Sequence, residues 1–204
     1  MTKFLVSGLI NIETTLRISG FPLHYNPVNY PLFGIKNSIS GVGYNVARAL
    51  TGLGEPVIFL SIVGHDFSGQ QVLENLRHNH IRADFVIAQA TQTAQSIILY
   101  DEEGHRQVHA DLKDIQEQVF PVQRFEQALA RAEQVVLCNV NFSRPFLQIA
   151  KAAGKRIATD VHALASLDDE YNREFMQAAD VLFMSDEQLP APAEEFGREV
   201  MRCY

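Results

Sequence analysis

The sequence is poor in positive charge. Lys and Arg number 17 against 24 Asp and Glu, the formal net charge is −7, and no basic cluster stands anywhere along the chain. A surface of that sign repels a phosphate backbone, so no nucleic acid is expected as a partner. Long apolar runs are missing too: none approaches the ~18 residues that a bilayer-spanning helix needs. The start, Met1-Thr2-Lys3 before Phe4-Leu5-Val6, is too short in apolar residues for a signal peptide. No membrane association is expected, and the chain is placed in the cytoplasm. Cysteine is scarce, with only Cys138 and Cys203, which make neither a disulfide framework nor a paired metal motif. Cys138 closes the apolar run Val135-Val136-Leu137, where a buried free thiol is expected.

What is present is a globular balance of 47% apolar and 20% charged residues in 204 positions, enough for one core. Short apolar runs rich in β-branched residues alternate with amphipathic stretches. Phe4–Ile10, Pro56–Val63, Ala83–Ile87, Gln134–Leu137, Arg156–Thr159 and Val181–Met184 read as strands. Gly43–Leu53, Phe67–His78, Glu126–Arg131, Pro145–Ala153, Asp169–Ala178 and Pro192–Arg202 read as helices, with Gly54 and Gly154 as C-terminal stops. This alternation predicts a parallel sheet covered on both faces, an α/β three-layer fold.

Two stretches break the pattern. Thr14–Ile39 carries Pro22, Pro27 and Pro31 among the aromatics Phe21, Tyr25, Tyr30 and Phe33, without a helical period. A connection of that length is usually functional or disordered, and the aromatics argue for order. Gln95–Ala110 reads as a hairpin turning at Asp101-Glu102-Glu103-Gly104, a solvated tip. Together they predict a small accessory sheet over one end of the main one.

The segment Ser40-Gly41-Val42-Gly43-Tyr44-Asn45 opens the first helix. A dinucleotide fingerprint would need a third glycine near Val46 and a strand just before, and a P-loop would need Lys-Ser/Thr after the glycines; neither is there. What remains is a turn whose bare backbone admits a small ligand at a helix N-terminus beside the Asn45 amide, or a turn that simply caps the helix.

The order Gly41-x-Gly43-x-Asn45-x-Ala47, then Gly54, then Gly64 resembles the first signature of the PfkB/ribokinase family of carbohydrate kinases, with Ser40 where that family usually has Gly or Ala. Asn11-Ile12-Glu13 resembles the family's Asn-x-Asp that grips sugar hydroxyls. Gly64-His65-Asp66-Phe67-Ser68-Gly69 is similar to its Gly-x-Asp-x-x-Gly turn. Thr93-Ala94 with the hairpin is similar to one lid segment, and the proline-rich stretch falls where the other belongs. Ser185-Asp186-Glu187-Gln188 falls where the family has Asn/Ser-x-x-Glu.

The resemblance runs over the whole chain and implies a ribokinase-like fold with a β lid, 1–204 being the N-terminal substrate-binding part of a kinase domain. It implies a phosphotransferase that moves a phosphoryl group from ATP, with Mg²⁺, to a primary hydroxyl of a sugar or nucleoside. Asn11, Glu13, Gly41, Val42, Gly43 and Asn45 are the implied substrate contacts, and Ser185 and Gln188 the phosphate- and Mg-associated pair. Family members that dimerise through their lids suggest a homodimer here.

Glu13 stands one methylene longer than the family's Asp, and Gln188 is uncharged where the family has Glu. The second family signature, Gly-Ala-Gly-Asp, which supplies the catalytic base and the anion hole, has no counterpart in the sequence. The chain is therefore expected to be truncated before the ATP-binding part and inactive alone. The alternative is a non-catalytic sugar-binding or regulatory protein. Asp160 and Asn141, at or after strand ends where such folds bind ligands, are further candidate contacts or else loop caps. His78, His80, His105 and His109 have no metal-ligand spacing, and no metal site is expected from them.

Overall fold

Every residue of the strand Val57–Gly64 is buried, which requires a sheet covered on both faces. The computed structural model describes residues 4–204; the polar start Met1–Lys3 lies outside them. In chain order the strands are β1 (Phe4–Ser7), β2 (Asn11–Arg17), β3 (Ile35–Ser40), β4 (Val57–Gly64), β5 (Phe85–Ala90), β6 (Gln95–Tyr100), β7 (Arg106–Asp111), β8 (Gln134–Leu137), β9 (Arg156–Ala163) and β10 (Val181–Ser185). The helices are α1 (Val42–Gly52), α2 (Phe67–His78), α3 (Val122–Leu129), α4 (Phe146–Ala152), α5 (Arg173–Ala178) and α6 (Ala193–Cys203).

The main sheet has the order β10-β9-β8-β1-β4-β5, and every one of its pairings is parallel. Alternate residues of β4 sort onto its two faces as the pleat dictates. Val57, Phe59 and Val63 join Tyr44, Ala47, Val72 and Leu76 of α1 and α2 in one core. Ile58, Leu60 and Ile62 join Phe125, Phe146, Phe175 and Phe196 of α3 to α6 in the other. The three layers expected from the sequence are therefore present.

Helix α2 spans the predicted residues because its start is fixed chemically. Asp66 Oδ1 accepts the Gly69 N–H at 2.8 Å as an N-cap. Its carboxylate also takes the Thr93 hydroxyl (2.6 Å) and the Thr93 N–H (3.0 Å), while the Gly64 N–H donates to Thr93 Oγ1 at 3.0 Å. The Gly-x-Asp-x-x-Gly turn and the Thr93-Ala94 pair, separate landmarks in the sequence, are one joint that ties β4, α2 and the start of β6 together.

The second sheet, β3-β2-β6-β7, is the predicted lid. Strand β2 runs antiparallel to β3 and parallel to β6, with Glu13 level with Ser38 and Ser96. Several sequence expectations change. The first strand stops at Ser7, and β2 and β3 occupy both ends of the stretch Thr14–Ile39, leaving only residues 18–34 irregular. Tyr25, Tyr30 and Phe33 are exposed there rather than packed. Helix α3 starts at Val122, one turn before the predicted Glu126, directly after Pro121. Asp101 is not a solvated tip residue: its side chain is buried and accepts the Glu103 and His105 N–H groups (3.0 and 2.9 Å), with His105 Nδ1 3.1 Å away.

Candidate functional site

The main sheet reverses its winding at β1: the chain adds β4 and β5 on one side, then β8, β9 and β10 on the other. Where strand order reverses, the connections beyond the carboxyl ends of the two central strands part in opposite directions and leave a crevice. Here the crevice lies between β1 and β8 and is roofed by the lid sheet. It forms a cavity of about 800 Å³, within the range of small-molecule sites.

Its floor comes from the strand ends: Leu9 after β1, Cys138, Asn139 and Val140 after β8, His162 and Ala163 from β9, and Ser185, Glu187 and Gln188 at β10. Its roof follows from the lid register. Glu13, Ser96 and Ala110 share one row, and Ile98 and Val108 are paired in the next; all five line the cavity. The site thus has a polar row nearest β1 and an apolar row above it, the mixture that a ring with hydroxyls on its rim requires.

Of the residues singled out from the sequence, Asn11, Glu13, Gly41, Val42, Asn45, Ser185 and Gln188 meet in this wall. Asn11 is buried and donates from Nδ2 to Ser96 Oγ at 2.8 Å, stitching β2 to β6. Gly41 has φ 106, and a Cβ there would lie 2.5 Å from the Leu9 carbonyl oxygen and 2.9 Å from Asn11 Oδ1. Only glycine fits both the backbone angle and the space. Asn45 follows on the first turn of α1, its N–H donating to the Gly41 carbonyl at 2.8 Å. Its side-chain Nδ2 stands 3.4 Å from Ser40 Oγ, a long contact that leaves the amide available.

Gly43, Asn141 and Asp160 are not in the wall. Gly43 lies against the Gly8 backbone, so its missing side chain serves helix–strand contact rather than ligand approach. Asn141 holds the loop residue Gln116: its N–H donates to Gln116 Oε1 (3.1 Å) and its Nδ2 to the Gln116 carbonyl (3.0 Å). Asp160 lies beneath the floor beside the buried Cys138 thiol. Burial, with the Asp160 charge adding to it, pushes the Cys138 thiol well up, so it is an inert neutral group in the floor.

The sequence reading missed the lid contributions Ser96, Ile98 and Val108, and Arg106, whose Nε stands 3.5 Å from Glu187 Oε1 across the cavity. It also missed Asn139, whose carbonyl accepts the Tyr171 hydroxyl at 2.9 Å. Period-two alternation within the hairpin was the available signal for the lid residues. For Mg²⁺ the fit is poor. A hard cation needs several oxygen ligands, carboxylates first. The β10 end offers the Ser185 hydroxyl, the neutral Gln188 amide and a Glu187 carboxylate that already faces Arg106.

A profile described as pfkB family carbohydrate kinase matches residues 1–199. An ATP-dependent ribose-1-phosphate kinase of Halopiger xanaduensis is 28% identical over 198 residues, which are 96% of this chain and 65% of that one. Among solved structures, a microbiome-derived acarbose kinase superposes with a TM-score of 0.81 at 22% identity, covering 98% of this chain and 65% of that one. An Arabidopsis thaliana ribokinase complexed with ribose and ATP superposes with a TM-score of 0.73 at 17% identity, over 99% and 68% of the two chains. At such identities these structures establish the fold, which is ribokinase-like.

Proposed function

The chain belongs to the pfkB family of carbohydrate kinases, and we propose that its cavity is the acceptor site for a sugar or nucleoside whose primary hydroxyl receives a phosphoryl group from ATP. One observation carries this: Glu13, level with Ser96 in the lid register, lines the same roofed crevice as Gly41 and Asn45 of the glycine turn. A carboxylate accepts hydrogen bonds from two adjacent hydroxyls, and an amide beside it both donates and accepts. Gly41 lets the ring approach the backbone. Ile98 and Val108 present apolar surface to it from the lid, against which a bound ring would displace water that would otherwise compete for the phosphoryl group. Bound ATP would supply that group. No step is assigned to Mg²⁺, for which the β10 end is a poor fit.

The chain spans 65% of the length of the ribose-1-phosphate kinase it resembles, and Gly-Ala-Gly-Asp does not occur in its sequence. Phosphoryl transfer depends on a placed base and on donors around the transferred group. We accordingly assign these residues to holding the acceptor, in the cytoplasm, and expect no ATP-dependent turnover from them alone. The outer face of the lid, with Ile97 half-exposed, is proposed as a homodimer contact.

Calorimetric titration of the chain with D-ribose, ribose 1-phosphate and inosine tests the site. Removing one buried hydrogen-bonding partner costs roughly 1–3 kcal/mol, about five- to 150-fold in affinity. Glu13→Ala and Asn45→Ala should each lose that much for whichever probe binds. Unchanged affinity in both would place the site elsewhere.

A further inference from the structure

The end of β9 brings His162, its side chain largely exposed, to the cavity floor. His162 has φ 53, a left-handed backbone uncommon outside glycine, although histidine enters it more readily than most side chains. It sits where β9 and β10 lose register, between the Asp160–Phe183 and Ala163–Ser185 pairs. That irregularity puts the imidazole into the cavity wall instead of the sheet. Strand irregularities next to sites commonly re-aim one side chain in this way.

Beneath it lies Asp160, mostly buried, with an Oδ2 that is cut off from solvent and has no hydrogen-bond partner. Buried polar atoms are nearly always satisfied, so an orphan of this kind calls for an explanation. His162 Nδ1 stands 3.5 Å from Asp160 Oδ2, close enough for an ion-pair contact and a little too long for a hydrogen bond, and the buried Cys138 thiol also lies beside this carboxyl. Burial pushes the Asp160 carboxyl up, with His162 and a hydrogen bond from the Cys138 thiol drawing it back. Left-handed backbone, exposed ring and orphaned carboxylate are separate observations, and one arrangement accounts for all of them.

We propose that His162 is a substrate-contacting residue of this cavity and that Asp160 is the positioning residue that holds it. Nδ1–H is directed at Asp160 Oδ2, and Nε2, at the other end of the ring, keeps its lone pair for a hydroxyl of the bound sugar or nucleoside. A carboxylate behind an imidazole fixes its tautomer in this way because the ring donates through one nitrogen and accepts through the other. Asp160, expected from the sequence to touch the ligand, then acts through His162. The proposal rests on the acceptor-site reading given above.

Nitrogen-15 NMR of the imidazole groups in the whole chain tests it without any ligand. His162 should be the Nδ1–H tautomer, and Asp160→Ala should abolish that preference while the amide spectrum stays folded. On titration with D-ribose, ribose 1-phosphate and inosine, the His162 Nε2 signal should move with the probe that binds. His162→Ala should weaken that probe roughly five- to 150-fold. An Nε2–H tautomer in the unmodified chain overturns the proposal. So does full affinity in His162→Ala beside a weakened Glu13→Ala, a result that leaves the acceptor site standing. If none of the three probes binds the unmodified chain, or if both variants keep full affinity, the acceptor-site reading fails and this inference fails with it.

Discussion

A Cβ on Gly43 would lie 2.5 Å from the carbonyl carbon of Gly8, and a Cβ on Gly8 would lie 2.8 Å from Gly43 Cα. The end of β1 and the first turn of α1 thus touch backbone to backbone. This contact sets the height of the glycine turn over the strand ends, and with it the position of Gly41 and Asn45. Gly43→Ala must push strand and helix apart, and overpacking of this kind costs about 1–3 kcal/mol. Gly197, within α6, has nothing within 4 Å of a built Cβ. There Gly197→Ala should stabilise by about 0.8–1 kcal/mol through helix propensity alone. Urea unfolding of both variants checks the contrast, and equal effects would remove the packing argument.

Asp66 gives the fold an acid-sensitive joint. Burial pushes its carboxyl up, but hydrogen bonds from the Thr93 hydroxyl, the Thr93 N–H and the Gly69 N–H outweigh that and hold it below its ordinary value. A folded-state value below the unfolded one, about 3.9, means stability present above that pH and lost as pH falls through the folded value. At neutral pH, Asp66→Ala should cost about 0.5–2 kcal/mol through loss of the cap. The stability gap between the parent and this variant should narrow as pH drops below about 4. A gap that stays constant through the acid range would show that the carboxylate's charge is not what Thr93 and Gly69 recognise.

Self-association has two candidate surfaces that substitutions can separate. The outer lid face presents Ile97, while β10 ends the main sheet with Phe183 62% exposed. An unpaired strand edge with apolar side chains invites pairing, and a lysine on it discourages that pairing. If the lid makes the dimer, Ile97→Glu should give monomers in sedimentation equilibrium while Phe183→Lys leaves dimers. The opposite pattern would move the contact to β10. A parent chain that is monomeric at high concentration would remove the lid dimer altogether.

Much of this could be read from the residues, and the failures have physical causes. Helix α2 was legible in full because its cap, Asp66, and its buried face, Val72 and Leu76, are all local signals. The glycine turn was legible through its spacing, and the fold puts Gly41, Val42 and Asn45 in the cavity wall. The packing of Gly43 was not legible because a glycine kept bare for a ligand and one kept bare for Gly8 look the same in sequence; only the fold brings residue 8 to residue 43. Ser96 and Ile98 were missed for a related reason. Their place in the cavity depends on β2 pairing in parallel with β6, across some eighty residues and with no turn to announce it. The left-handed turn-out at His162 was illegible because histidine, though enriched in that backbone, marks it far more weakly than the glycines at 54 and 154 do.

The central claim is that the acceptor lies between the lid and the carboxyl ends of β1 and β8. The most direct measurement is a crystal structure of the chain grown with saturating D-ribose or inosine. The account predicts ligand density in the roofed crevice, with hydroxyls within hydrogen-bond distance of the Glu13 carboxylate and the Asn45 amide, and the ring beneath Ile98. Density instead in the groove between α2 and the outer lid, against Phe67 and Gln70, or at the hairpin tip beside Asp101, with the crevice empty, would contradict it.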